Sequence, residues 1–94
     1  MQSKSIYKIP NGKLLKIQLV YDKKNKKIDK ISIMGDFFAY PEESIETLEK
    51  KLENIILDKD ILDKKIESII KKNKIEFIGL NAEDLTTGIL MCIK

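Results

Sequence analysis

Residues 31–55 read ISIMGDFFAYPEESIETLEKKLENI. The period of the apolar pattern changes inside this stretch. Ile31 and Ile33 stand two apart, which is the spacing of a half-buried strand. After Pro41, residues Ile45, Leu48, Leu52 and Ile55/Ile56 recur at three- and four-residue steps, the spacing of one helix face. Pro41 suits the first helical position, and Glu42 and Glu43 follow where the helix dipole favours acids. The stretch therefore reads as strand, junction and helix. Two adjacent aromatic residues, Phe37 and Phe38, sit at the junction behind Gly35 and Asp36.

Upstream, KLLKIQLVY (residues 13–21) has the same period of two. Leu15, Ile17, Leu19 and Tyr21 share one face, and Lys16 and Gln18 point the other way. SIYKIP (5–10) alternates before it, and Pro10-Asn11-Gly12 between them is a turn signal. DKKNKK (22–27) is a second, charged turn. Connections this short join neighbouring strands, so the pattern predicts an antiparallel meander with strands near 3–9, 14–21 and 28–35.

Downstream, the helix opened by Pro41 is predicted over 41–56. LDKD (57–60) breaks it, and Asp58 or Asp60 can cap a second helix near 60–72 with the stripe Ile61, Leu62, Ile66, Ile69 and Ile70. Lys71 and Lys72 fall in its last turn, where the dipole prefers cations. NKIEFIG (73–79) fits either a short strand or an extended connector. Asn81 caps a third helix near 82–93, with Asp84 in a capping-box position and Leu85, Ile89, Cys92 and Ile93 on its inner face. Gly88 inside that helix costs about 1 kcal/mol relative to Ala, which points to close packing there. The fold class is α+β: a three-stranded antiparallel sheet packed with about three helices, in one domain over 1–94.

Composition narrows the chemistry. The chain has 18 basic residues against 15 acidic ones, a net charge of +3, and every basic residue is Lys. That charge is mild, and the planar guanidinium fork favoured by phosphate and nucleic-acid readers is missing. No nucleic-acid partner is expected. Richness in Lys and Ile fits an AT-rich genome and thermophily equally well. The absence of His removes the commonest general base and neutral metal ligand. A single cysteine, Cys92, excludes an internal disulfide and a Cys-cluster metal site, and its apolar surroundings read as those of a buried thiol. MQSKSIYKIP carries no apolar signal core, and no apolar run is long enough to span a membrane, so a cytoplasmic location is expected.

No catalytic or metal-ligating set emerges. PNGK (10–13) lacks the length and the Ser/Thr of a P-loop, so Gly12 and Lys13 read first as a hairpin turn, with Lys13 able to offer charge to a phosphate bound elsewhere. GDFF (35–38) has two readings. Gly35 bends the strand end and Asp36 makes turn hydrogen bonds, while one or both rings fill the core. Alternatively, successive side chains on an extended backbone face opposite ways, so one ring enters the core and the other meets a partner. The register of Ile31 and Ile33 directs Phe37 inward if no bulge intervenes at Gly35.

At this point a family becomes visible. ISIMGDFFAYPEESIETLEKKLENI resembles the C-terminal accessory domain of lipoate–protein ligases: an apolar strand, Gly-Asp-Phe-Phe, and a helix in which Ile45, Leu48, Glu49 and Leu52 keep the spacing. YKIPNGKLLKIQL (7–19) resembles that family's first hairpin, and IEFIGLNAEDLTTGIL (75–90) its closing segment. Most such domains are fused behind a large catalytic domain. A chain holding only the accessory part resembles the split arrangement of some archaea.

The resemblance implies a small subunit without activity of its own, paired as a heterodimer with a large catalytic subunit. ATP, Mg and lipoate are expected at the large subunit, with no cofactor bound by this chain alone. Lipoate and ATP give lipoyl-adenylate and pyrophosphate, and the lipoyl group then passes to a lysine of a lipoyl-acceptor domain. The small subunit is needed for the adenylation half. Gly12 and Lys13 are then the candidates for phosphate or adenylate contact. Gly35, Asp36, Phe37, Phe38 and Pro41 are the candidates for the partner interface or junction. Two other classes share the α+β pattern. A scaffold of iron–sulfur assembly would want several exposed ligands, and a small nucleic-acid-binding domain would want Arg.

Overall fold

The computed structural model describes residues 1–10 and 13–93. Three strands, β1 (Gln2–Lys8), β2 (Leu14–Asp22) and β3 (Lys27–Gly35), form an antiparallel sheet in the order β1-β2-β3. This is the meander expected from the short turns. Leu15, Ile17, Leu19 and Tyr21 of β2 turn to the covered face, as do Ile28, Ile31 and Ile33 of β3. The ladder pairs Ile17 with Ile33 and Leu19 with Ile31, then shifts register between Val20 and Tyr21. That bulge keeps Tyr21 and Ile28 inward at the far end of the sheet.

Three helices follow, α1 (Ser44–Lys51), α2 (Lys59–Lys72) and α3 (Ala82–Leu90); α1 and α3 lie on this face, and α2 packs mainly on α3. Their stripes bury Leu48, Leu62, Ile66, Ile69, Leu85 and Ile89. The carboxylate of Asp58 caps α2 by accepting from the N–H groups of Asp60 and Ile61, both at 3.1 Å. Asn81 and Asp84 form the reciprocal capping box of α3. Each cap satisfies backbone donors that a helix start leaves without partners.

The first helix is shorter than the pattern predicted, at both ends. Pro41 follows a cis peptide and lies in a bend, not at the first helical position. Tyr40, held extended in a strand, leads into it, and the helix begins only at Ser44 after the turn in which Ser44 N–H donates to Pro41 C=O at 3.0 Å. At the other end Asn54 adopts φ +68°, and the chain leaves the helix. Ile55 and Ile56, read as helical, run beside β3 instead. Asn54 N–H reaches Ile28 C=O at 2.7 Å, Ile28 N–H reaches Ile55 C=O at 2.9 Å, and Leu57 N–H reaches Lys26 C=O at 2.7 Å. The exposed edge of β3 needs partners for its backbone groups, and this need overrides the helical stripe.

Further along the same edge, the Glu49 carboxylate accepts from Ile33 N–H at 2.8 Å. A half-buried charged acceptor of this kind contributes about 1.5 kcal/mol. Helix α3 likewise ends at Leu90 rather than at 93, with Met91 as its C-cap.

Gly88 sets how closely α3 approaches the sheet. A Cβ there would stand 2.9 Å from Leu15 Cδ2 and 3.3 Å from Ile17 Cγ1. Its carbonyl accepts from the buried Ser5 hydroxyl at 2.7 Å. Cys92 is buried beside it, with Sγ 3.8 Å from the same carbonyl, and burial pushes its thiol pKa up. We expect Gly88→Val to overpack this contact and destabilise the chain by about 2 kcal/mol or more. In a domain of this size that lowers the thermal midpoint by roughly 10 °C, and thermal unfolding followed by circular dichroism checks it.

Candidate functional site

The segment that fitted either a strand or a connector is a strand. β4 (Phe38–Tyr40) pairs antiparallel with β5 (Glu76–Ile78) in a second, two-stranded sheet. The register sets Phe38 opposite Ile78, Ala39 opposite Phe77 and Tyr40 opposite Glu76. Ala39 and Phe77 turn inward and are half-buried. Phe38, Tyr40 and Ile78 turn outward and are 62%, 52% and 51% exposed. The ribbon therefore presents a mainly aromatic strip to solvent, with the exposed Glu76 beside Tyr40.

Gly35 makes the junction. A Cβ on it would collide with the carbonyl oxygen of Leu14 and stand 2.9 Å from the Phe37 ring. With no side chain there, Asp36 N–H donates to Leu14 C=O at 3.1 Å, and the chain turns off the end of the sheet. The Asp36 carboxylate is exposed. Phe37 folds back against the core and meets Phe77 edge to face, with ring centroids 6.3 Å apart at 77°. The two phenylalanines thus face opposite environments: Phe37 half-buried on the core, Phe38 out on the strip.

Lys13 lies at the same end of the molecule. Its backbone carbonyl accepts from Ile9 N–H at 2.8 Å, closing the first hairpin. Its stem runs along Gly79, where a Cβ would come within 3.3 Å of Lys13 Cγ and 3.4 Å of Cε. Gly79 follows β5 directly and holds φ +89°, a conformation that side chains resist. Ile9, Pro10, Lys13, Gly79, Leu80, Asn81 and Asp84 together line an open depression of about 360 Å³. Gly12, the other phosphate candidate, lies outside the described residues.

The capping box at the start of α3 borders this depression. Asn81 N–H donates to the Asp84 carboxylate at 3.2 Å, and Asp84 N–H donates to the Asn81 side chain at 2.8 Å. Lys13 is the cation of the depression, and its side chain is exposed. Phe38, Ile78, Gly79 and Lys13 form one continuous path, from the cross-strand pair through the chain to the stem contact. Two groups of candidates more than twenty residues apart in sequence therefore share one end of the fold. Gly79, Ile78 and Tyr40 were not singled out from the sequence. The positive φ of Gly79 was signalled only by its glycine, and Ile78 belonged to a segment of undecided conformation. Among the described residues, no three Asp, Glu, Cys or His side chains gather where they could hold a metal ion.

The family model for the bacterial lipoate protein ligase C-terminus matches residues 8–89. The chain belongs to the lipoate protein ligase C-terminal family. Both the GDFF junction and Lys13 fall within the matched span. Among solved structures, a chain from an archaeal lipoylation system of Thermoplasma acidophilum is similar to it. That system is described as a bi-partite lipoate protein ligase and its E2 lipoyl domain. The match has a TM-score of 0.80 and 26% identity, and it covers 95% of this chain and 94% of that one. No curated protein matches by direct sequence comparison. Among the described residues of this family member, no helix is long and apolar enough to cross a membrane.

Proposed function

We propose that the chain is the non-catalytic small subunit of a two-part lipoate–protein ligase. It pairs with a large catalytic subunit and is required there for the activation of lipoate. One observation carries the reading: the near-complete mutual coverage with a chain from a bipartite ligase system, within a family defined by the ligase C-terminus.

In the reaction, a lipoate carboxylate oxygen attacks the α-phosphorus of ATP. The bond to the β-phosphate breaks and pyrophosphate leaves. The amine of an acceptor lysine later attacks the acyl carbon, and AMP leaves. ATP, magnesium and lipoate are bound by the large subunit. The small chain closes over that site with the end that carries Lys13 and the aromatic strip. Phe38, Tyr40 and Ile78 dock on the large subunit, where buried aromatic anchors concentrate binding energy. Docking excludes water, and the Lys13 ammonium then faces the charge that develops on the phosphates.

The test mixes the purified chain with its large subunit and measures pyrophosphate release from ATP on adding lipoate. Neither protein alone should release it at an appreciable rate, and the mixture should. Transfer from preformed lipoyl-adenylate should depend on the small chain much less. Adenylation by the small chain alone, or an unchanged rate when it is added to the large subunit, refutes the reading.

A further inference from the structure

Three glycines fall among the described residues, and two of them serve packing of the fold itself. At Gly35 a Cβ would strike the backbone carbonyl of Leu14, and at Gly88 it would press on the buried side chains of Leu15 and Ile17. Gly79 differs. The three heavy atoms nearest to a Cβ there are Cγ, Cε and Cδ of Lys13, at 3.3, 3.4 and 3.6 Å. The stem of one exposed lysine lies across the place a side chain would take.

The backbone gives a second reason for glycine, since Gly79 holds φ +89°. Positive φ by itself does not exclude a side chain in this fold: Lys26, Asn54 and Lys74 hold φ +53°, +68° and +51°. A Cβ at 3.3 Å from Lys13 Cγ is closer than packed carbons settle, at about 3.5–4.0 Å, so one group has to give. The backbone on either side of Gly79 is tied down. Ile78 is paired with Phe38 in the ribbon, and Asn81 is locked in the capping box of α3. The exposed Lys13 side chain is the part free to move.

We propose that Gly79 is a positioning residue for the Lys13 ammonium: its bare Cα lets the stem lie along the turn after β5 and so sets where the charge emerges. The inference rests on the function proposed above, in which that ammonium faces the phosphates. In the same reading Ile78, one residue earlier, belongs to the strip that docks on the large subunit. The turn that carries the stem thus begins where the docking surface ends. A lysine ammonium rides on a flexible stem, and a stem already confined has less freedom to lose when the reacting groups are brought into line.

The experiment uses the assembled ligase with Gly79→Ala, Lys13→Met, the two combined, and Gly79→Asn in the small chain. Circular dichroism checks that each folds, and calorimetric titration that each binds the large subunit. Pyrophosphate release is measured at saturating ATP and lipoate. Gly79→Ala should slow it by about tenfold or more in the parent background, and by less than about twofold in the Lys13→Met background. Met keeps a stem against Gly79 and carries no charge, so a loss caused by a distorted turn would be equal in both. Asn adopts positive φ more readily than Ala and still carries a Cβ, so Gly79→Asn should be slow as well. Subunit affinity should stay close to the parent, which damage to the turn beside the docking strip would lower. In the isolated chain, NMR cross-relaxation should place the Gly79 Hα protons beside the Lys13 stem, and Gly79→Ala should shift the Lys13 side-chain resonances.

Equal losses in both backgrounds overturn the proposal, as does a parental rate for Gly79→Asn or for Lys13→Met. A mixture that releases no pyrophosphate refutes the proposed function instead. The NMR contact is read without any activity, and its absence in the parent chain overturns the role of Gly79 whatever the rates.

Discussion

Lys13→Ala should slow adenylate formation by the assembled ligase by about 10²–10³-fold while leaving subunit affinity nearly unchanged. Removing one preorganised electrostatic contact from a closed site typically costs about 2.7–4 kcal/mol in the transition state. Under the proposed function Lys13 supplies such a contact. Its stem is supported along Gly79, and its backbone is held by the hydrogen bond from Ile9. A flexible ammonium supported in this way reaches a phosphate with less loss of freedom than an unsupported one. Ala also removes the stem packing, so Lys13→Met is the companion variant. It keeps an apolar stem and loses only the charge. If Met is as slow as Ala, the ammonium acts on developing phosphate charge. The measurement is pyrophosphate release under saturating ATP and lipoate, with subunit affinity determined alongside. A parental rate for both variants would reduce Lys13 to a residue that closes a hairpin.

The second large effect is a division between neighbours. Phe37→Ala should cost about 3 kcal/mol of stability, the low end for a phenylalanine truncation because the ring is only half-buried. It removes the edge-to-face contact with Phe77 and uncovers the core behind Gly35. The thermal midpoint should fall by more than 10 °C. Phe38→Ala should leave the midpoint close to the parent, because its ring is 62% exposed and mostly meets solvent in the isolated chain. It should instead weaken association with the large subunit by about 2 kcal/mol or more, the loss that marks an interface anchor. The two variants are compared by thermal unfolding and by calorimetric titration with the large subunit. If Phe38→Ala binds normally, the strip is not the docking surface. The site would then have to be sought elsewhere on that end.

Much of this protein was legible from its sequence because the relevant signals are local. The alternation Leu15, Ile17, Leu19, Tyr21 follows from the two-residue repeat of a strand, and the stripe Leu62, Ile66, Ile69 from the turn of a helix. Asn81 and Asp84 announce a helix start because the donors they satisfy lie three residues away. Gly88 advertised close packing because a glycine inside a helix needs a reason, and Leu15 and Ile17 are that reason. The resemblance carried by GDFF and the helix behind it is local as well.

What tertiary structure alone decided depends on partners distant in the chain. Ile55 and Ile56 kept a helical spacing, yet the open edge of β3 at Lys26–Ile28 drew residues 54–57 out of the helix to complete its hydrogen bonds. Pro41 could have opened a helix, but the pairing of Phe38–Tyr40 with Glu76–Ile78 holds the chain extended up to it. That same pairing sends Phe38 outward, brings Gly79 under the stem of Lys13, and joins the hairpin to the aromatic strip. No periodicity encodes a contact between residues 13 and 79. It exists because β5 finds its partner strand across more than thirty intervening residues, and backbone hydrogen bonds do not record in sequence which strand will satisfy them.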